Sequence, residues 1–292
     1  MLPSQNNEVG VSFAGQISDN TRRAYTSDLC SFFGVDSMDR LNAEDLGRIT
    51  VEQVIAYRNS LLARYKPATV ARKMSSLRSL FDFLCSTGLL RKNPATSKLA
   101  RSPKVSQDSN TAGLTQEEAE LLLRQPDRST QLGKRDYAIL LLMITAGLRR
   151  SEVVSVKKSN IFQVGSHYVM LVTGKGGKVE QIKLKPGTYT AIFEYGNTHN
   201  RDEMFLNRYG KPMSAQSVWD LVEKYCHKAG IEKNTTPHSL RHTFVTLAID
   251  NGASLVKVQA AARHADPKTT IRYFRNKHNL DDNAIDYIPI NG

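Results

Sequence analysis

Tyr273 lies nine residues after His264, and both follow the stretch His238-Ser-Leu-Arg-His242. These residue types suit phosphate chemistry. Arginine presents a planar fork of donors to phosphate oxygens, and histidine moves protons near neutral pH. A tyrosine phenol can hold a phosphoryl group covalently once its proton is removed. The stretch therefore proposes attack by Tyr273 on a phosphodiester, and the rest of the chain must supply the substrate and more positive charge.

Two other chemistries ask for similar residues. His238 and His242 stand at i and i+4, a spacing that suits zinc, but the metalloprotease pattern places glutamate after the first histidine and here Ser239 follows. Arg241 would also repel a cation, so no metal is expected. The glycine-rich run Thr173-Gly-Lys-Gly-Gly-Lys178 lacks the spacing of a nucleotide-binding loop and joins two strand-like segments. It reads as a flexible hairpin tip, with Lys175 at its start and Lys178 at its end, able to reach into a groove. His238 and Arg241, three apart, share a helical face, whereas His242 points elsewhere and reads as packing or support.

The substrate is suggested by charge. The chain of 292 residues carries a formal net charge of +12 and a sequence pI near 9.6, which favours polyanions because neutralised phosphates release condensed counterions. Apolar content of 40% indicates a folded protein, and the length suits two domains. Cys30, Cys85 and Cys226 are widely spaced and form no CxxC pair, so core positions in a reducing compartment are expected, not a disulfide framework or zinc site. The run MLPSQNNEVGVSF lacks the pattern of a secretory signal, and no apolar run is long enough to span a membrane. A cytoplasmic protein with no membrane association is expected.

The elements that must position these residues are mainly α-helical, with a small antiparallel sheet (α+β). Residues 1–15 read as a flexible arm. Residues 16–96 read as an all-helical domain, with one apolar stripe at Tyr25, Leu29, Phe32 and Phe33, and a capping box at Thr50 and Gln53 ahead of Val54, Tyr57 and Leu61. A third helix opens at Pro67, buries Val70, Met74, Leu77, Leu80, Phe81 and Leu84, and stops near Gly88. Its other face carries Arg72, Lys73 and Arg78, a charged face that is either simply solvated or laid against DNA. Residues 97–112 lose periodicity and read as a basic linker.

Residues 113–292 form the second domain. It starts at a capping box of Thr115 and Glu118 and contains a nearly all-apolar helix, Tyr137 to Ala146. Gly147 breaks that helix and places Arg149 at a sharp corner. Period-two segments follow at 160–164, 168–172 and 179–184. Helices return after Pro186: one capped by Ser214, then 239–251, 254–262, and a short helix holding Tyr273.

This domain resembles the catalytic domain of the tyrosine recombinases, the family of the phage integrases and Xer recombinases. The matching elements are Thr145-Ala-Gly-Leu-Arg149-Arg-Ser-Glu152, Gly174-Lys175-Gly176, His238-Ser-Leu-Arg241-His242, and Arg263-His264 with Tyr273 nine residues on. Their order and spacing agree from 114 to about 280, and Thr21-Arg-Arg-Ala-Tyr25 with Asp28-Leu29 resembles the family's helical core-binding domain. One departure stands out: the family pattern Leu-Gly-His is here Ala262-Arg263-His264. The extra cation is expected to add a DNA phosphate contact or alter the approach of Tyr273.

The resemblance implies a site-specific DNA recombinase acting through a 3′-phosphotyrosyl intermediate, in integration, excision or resolution of a DNA element. Arg149 and Arg241 would clamp the scissile phosphate, where losing one preorganised donor costs about 3–4 kcal/mol. Tyr273 would attack, Lys175 would protonate the leaving 5′-oxygen, His238 would accept the phenol proton, and His264 would hydrogen-bond the phosphate or orient the phenol. Glu152 would hold Arg149 or a histidine. No cofactor or metal is implied. The implied partner is double-stranded DNA with an inverted-repeat core site, bound by a homotetramer on two sites, alone or with accessory DNA-bending proteins. A type IB topoisomerase shares the chemistry, but the helical N-terminal domain and the late tyrosine favour a recombinase. A binding-only protein on an inactive scaffold runs against the complete set of six site residues.

Overall fold

The computed structural model describes residues 13, 15, 19–41, 43–104, 113–174, 177–264 and 266–274. Lys175, Gly176 and the tail beyond residue 274 lie outside them, so the readings made on those residues do too. The chain divides into two compact units between Gln107 and Asp108.

The first unit contains α1 (Asp19–Phe33), α2 (Ala43–Gly47), α3 (Val51–Leu62) and α4 (Pro67–Ser86), with a single 3₁₀ turn at Met38–Arg40. The expected capping box starts α3: the Thr50 hydroxyl accepts from the Gln53 amide at 3.3 Å, and the Gln53 side chain accepts from the Thr50 amide at 2.9 Å. Pro67 occupies the first turn of α4, where its missing N–H costs nothing. Val70, Met74, Leu77, Leu80, Phe81 and Leu84 of α4 are buried against Leu29 of α1 and Val54 of α3. Each such side chain contributes roughly 1.5–3 kcal/mol of burial.

Three expectations are corrected in this unit. Phe13 is buried and packs on the ring of Phe83, 5.7 Å between centroids, so the expected free arm is anchored at this residue. The basic face of α4 is open only at Arg72, whose side chain keeps 45% of its surface. Lys73 is only 7% exposed, and its ammonium lies 3.1 Å from Asp28, a carboxylate buried on α1 that also takes the Arg72 guanidinium. A buried carboxylate must be paired, and these two cations serve that need. Arg78 turns towards the chain that follows α4, donating to the carbonyls of Ala95 (3.0 Å) and Ala100 (2.9 Å) and to the Ser102 hydroxyl (2.9 Å). Ala95 and Ala100 are fully buried in this core. The start of the expected linker is thus packed structure, because Arg78 holds its Ala100 carbonyl and its Ser102 hydroxyl.

The second unit is built round α6 (Gln131–Ala146). Ala138, Ile139, Leu140, Leu142 and Met143 are completely buried, as an all-apolar helix requires. Around it lie α5 (Gln116–Leu123), α7 (Arg150–Val154), α8 (Pro186–Gly196), α9 (Ala215–Lys228) and α10 (Pro237–Asp250), followed by α11 (Leu255–Ala262) and α12 (Pro267–Phe274). The capping box of Thr115 and Glu118 opens α5. Helix α6 starts before the apolar run because the Thr130 hydroxyl caps it, accepting from the Gly133 amide at 3.0 Å. Strands β1 (Ile161–Val164), β2 (His167–Thr173) and β3 (Val179–Leu184) form an antiparallel sheet in that order, with Thr173 opposite Val179 at the base of the lysine-bearing hairpin. The fold is mainly α with a small antiparallel sheet. Among the described residues no helix is long and apolar enough to cross a membrane.

Candidate active site

The site begins where α6 stops. Gly147 has φ +60°, and a Cβ there would lie 2.5 Å from the Phe244 ring, so the chain can turn sharply only because this residue is glycine. The turn makes Arg149 the residue that opens α7. Its backbone N–H donates to one oxygen of Glu152 at 2.9 Å and its guanidinium to the other at 2.5 Å. Glu152 is 3% exposed, whereas the Arg149 side chain keeps 35% of its surface. The buried carboxylate therefore fixes a guanidinium that still faces outward. Burial alone would raise the Glu152 pKa, but the Arg149 amide and the Arg263 and Arg149 guanidiniums outweigh it and hold the carboxyl below its ordinary value.

Arg241 reaches the same corner from α10. The reciprocal cap between Thr236 and Ser239, with Pro237 at the first position, starts this helix two residues earlier than the periodicity suggested. Arg241 is buried, and donates to the carbonyl of Gly147 at 2.5 Å and to that of Ala262. Its orientation is thus fixed by two helix ends at once, those of α6 and α11.

His264 follows α11. Its Nδ1 lies 2.8 Å from the hydroxyl of Thr270, a fully buried residue of α12. Burial, then the guanidiniums of Arg241, Arg149 and Arg263, lower its pKa to about 4, so the imidazole is neutral at physiological pH. The backbone of Tyr273 lies in α12, on the same helix as Thr270. His238, in the first turn of α10, is exposed; partial withdrawal from water and then Arg241, Arg150 and Arg149 lower its pKa as well. A neutral imidazole at the edge of a cationic corner can accept a proton. His242 has the supporting place expected of it, half-buried where α10 meets the start of the unit: a Cβ on Gly113 would lie 2.7 Å from its Nδ1, and the Leu114 amide donates to Thr243 at 2.8 Å.

The structure thus brings together Arg149, Glu152, Arg241, His238 and His264. It overturns the reading of Arg263 as a DNA contact. This residue has φ +55° and ends α11 in the left-handed conformation that glycine occupies at helix ends. Its side chain, 5% exposed, turns inward to donate to Glu152 at 2.7 Å and to the Gly147 carbonyl at 3.3 Å. Lys178 stays outward, 76% exposed, with its ammonium 2.8 Å from Glu180. Sequence reasoning missed Thr270 and the Gly147 carbonyl. The pair of threonines at the start of α12 was the one available signal for the first, and a backbone acceptor leaves none. Among the described residues no group of three or more His, Cys, Asp or Glu side chains is gathered to hold a metal ion.

Two fixed guanidiniums beside two imidazoles of lowered pKa, next to the helix of a tyrosine, can hold a phosphate and move protons around it. The comparisons with known proteins concern the chain as a whole. Residues 113–279 match the phage integrase family, and residues 10–88 match the phage integrase N-terminal SAM-like domain. The chain is 32% identical over 274 residues to the tyrosine recombinase XerD of Lacticaseibacillus casei, covering 90% of each chain. It is 34% identical over 274 residues to XerD of Listeria innocua, covering 88% of each. Its fold is similar to that of XerH bound to palindromic difH in a post-cleavage complex, with TM-score 0.67 and 21% identity, covering 88% of this chain and 76% of that one. It is also similar to a lambda integrase (75-356) dimer bound to a COC′ core site, with TM-score 0.68 and 17% identity, covering 89% and 93%. The chain belongs to the phage integrase family, and it is a tyrosine-type site-specific DNA recombinase.

Proposed function

We propose that Tyr273 is the nucleophile of this recombinase and that the corner round Gly147 is where the scissile phosphate sits. The phenol oxygen attacks phosphorus, a 3′-phosphotyrosyl bond forms, and the bond to the 5′-oxygen breaks. Arg149 and Arg241 hold the non-bridging oxygens and stabilise the charge that builds on them. His238 accepts the phenol proton, Lys175 gives a proton to the departing 5′-oxygen, and His264 hydrogen-bonds the phosphate in its neutral form. Attack by a 5′-hydroxyl from another duplex reverses the step and exchanges strands. Two duplexes require four active sites, so the working form is a homotetramer on two inverted-repeat core sites in the cytoplasm, with the helical first unit as a second DNA-contacting body.

One observation carries this reading: Glu152 holds Arg149, and the carbonyls of Gly147 and Ala262 hold Arg241, at one corner. His264 touches Thr270 on the helix that contains Tyr273. The test uses a nicked suicide duplex, whose cleaved strand diffuses away and traps the adduct. Tyr273→Phe is expected to bind this DNA like the parent and give no covalent product. A residual adduct in that variant would mean that another residue is the nucleophile.

A further inference from the structure

A glycine normally ends a helix in the left-handed conformation because it has no Cβ to clash. Arg263 ends α11 with φ +55°, the sole non-glycine with positive φ among the described residues. An arginine tolerates that strain only where its side chain gains something. Its side chain is 5% exposed and makes three kinds of contact: Glu152 at 2.7 Å, the carbonyls of Ala261 (3.0 Å), Gly147 (3.3 Å) and Ala146 (3.5 Å), and, through Nε, Glu180 of β3 at 3.9 Å. Its own carbonyl accepts from Arg149 at 3.4 Å. Both proposed phosphate-binding arginines therefore share an anchor with Arg263, since Arg149 shares Glu152 and Arg241 shares the Gly147 carbonyl.

We propose that Arg263 is a positioning residue for strand cleavage: its buried guanidinium locks Glu152 and the Gly147 carbonyl, and so fixes the aim of Arg149 and Arg241 at the phosphate. The inference rests on the assignment of those arginines given above. Arg263 does not touch the substrate. It donates to the Glu152 oxygen that also accepts the Arg149 backbone N–H, and this leaves the other oxygen to the Arg149 guanidinium alone. Without it only the Arg149 backbone N–H holds that oxygen, so the carboxylate is less firmly fixed, and a displacement of about 1 Å at a reacting group can cost roughly 100-fold in rate.

The test compares Arg263→Gly, Arg263→Gln, Arg149→Ala and the double variant Arg149→Ala/Arg263→Gly in the full-length protein. Single-turnover cleavage of a suicide duplex, DNA affinity and thermal midpoint are measured for each. Glycine relieves the backbone strain but removes an ion pair, and glutamine keeps the strain and a neutral donor, so the two variants bracket any folding defect. The expected result is cleavage slowed about 10- to 100-fold in Arg263→Gly, with DNA affinity within about twofold of the parent. Glutamine should recover part of the rate, and losing Arg263 should slow Arg149→Ala by a smaller factor than it slows the parent, because only the share acting through Arg241 and the Gly147 carbonyl remains. Parental cleavage in Arg263→Gly would reduce Arg263 to a space-filling residue and overturn the proposal. So would a parallel loss of affinity and rate, which would place Arg263 on the DNA. If Arg149→Ala cleaves normally, the assignment of Arg149 fails; a slow Arg263→Gly beside it would show that Arg263 acts by another route.

Discussion

Each unit of this protein buries one carboxylate between two basic side chains, and the two arrangements do different things. In the first unit Asp28, 1% exposed, holds Lys73 and Arg72. In the second Glu152, 3% exposed, holds Arg263 and Arg149. In both, one cation is buried and the other keeps part of its surface. The difference lies in where the partners come from. Asp28 joins α1 to α4 and so ties two helices together. Glu152 stands three residues from Arg149, at the start of the same short helix, and so aims a side chain. The same electrostatic device serves cohesion in one place and preorganisation in the other.

Removing each carboxylate breaks this comparison most strongly. Asp28→Ala leaves Lys73 buried without its counter-charge, and Glu152→Ala does the same to Arg263. Breaking a buried pair from one side costs about 3–5 kcal/mol. Urea unfolding should show a loss of that order for both variants. Only Glu152→Ala should also slow cleavage in the protein that remains folded. Equal cleavage defects in the two would mean that the first carboxylate also acts on the chemistry.

The exposed partners sharpen the contrast. Arg149→Ala removes a donor that faces the phosphate and is expected to slow adduct formation by about 10²- to 10³-fold, or roughly 3–4 kcal/mol. Arg72→Ala, which removes the corresponding cation of the first unit, should leave the cleavage rate on saturating DNA unchanged. Single-turnover assays on a suicide substrate separate the two.

The parts of this picture that depend on neighbours in sequence were legible beforehand. Both capping boxes, the strand segments, the central apolar helix and the break at Gly147 follow from residues within a few positions of one another. So does the spacing of His238 and Arg241. The pairing of Lys73 with Asp28 was not legible, because it spans more than forty residues and Lys73 looks like any surface lysine on a helix. Arg78 was read as a cation facing out for the same reason, although its acceptors are backbone carbonyls that no sequence pattern marks. Arg263 stands out in the sequence as a departure from the family pattern, which suggests a DNA phosphate contact or an altered approach of Tyr273. Its inward turn depends on a buried acceptor at Glu152, more than a hundred residues earlier, and tertiary placement alone decides that.

His264 offers a smaller effect with a definite sign. Its pKa in the folded protein is about 4, against an ordinary value of 6.5. Below pH 6.5 the unfolded chain takes up the proton more readily than the folded one, so stability falls as pH drops towards 4. His264→Asn should therefore lose less thermal stability than the parent between pH 7 and pH 4.5. The parent's cleavage should show no titration of His264 between pH 6 and pH 8, where its imidazole stays neutral. Equal pH slopes for the two proteins would show that burial and the cationic neighbours do not hold the imidazole neutral.

The smallest effect separates the basic side chains that turn inward from one that does not. Lys178 pairs with Glu180 at the surface, and an exposed pair of this kind is worth about 0–1 kcal/mol. Lys178→Ala should leave the unfolding midpoint almost unmoved, unlike removal of Asp28 from beneath Lys73. If Lys178 meets a DNA phosphate, its loss should weaken binding evenly across sequences and lower the slope of log affinity against log salt by about one. Lys73→Ala should show the reverse, a clear loss of stability with the salt slope intact. A shared pattern in the two lysine variants would erase the distinction between a cation spent inside the fold and one left for the substrate.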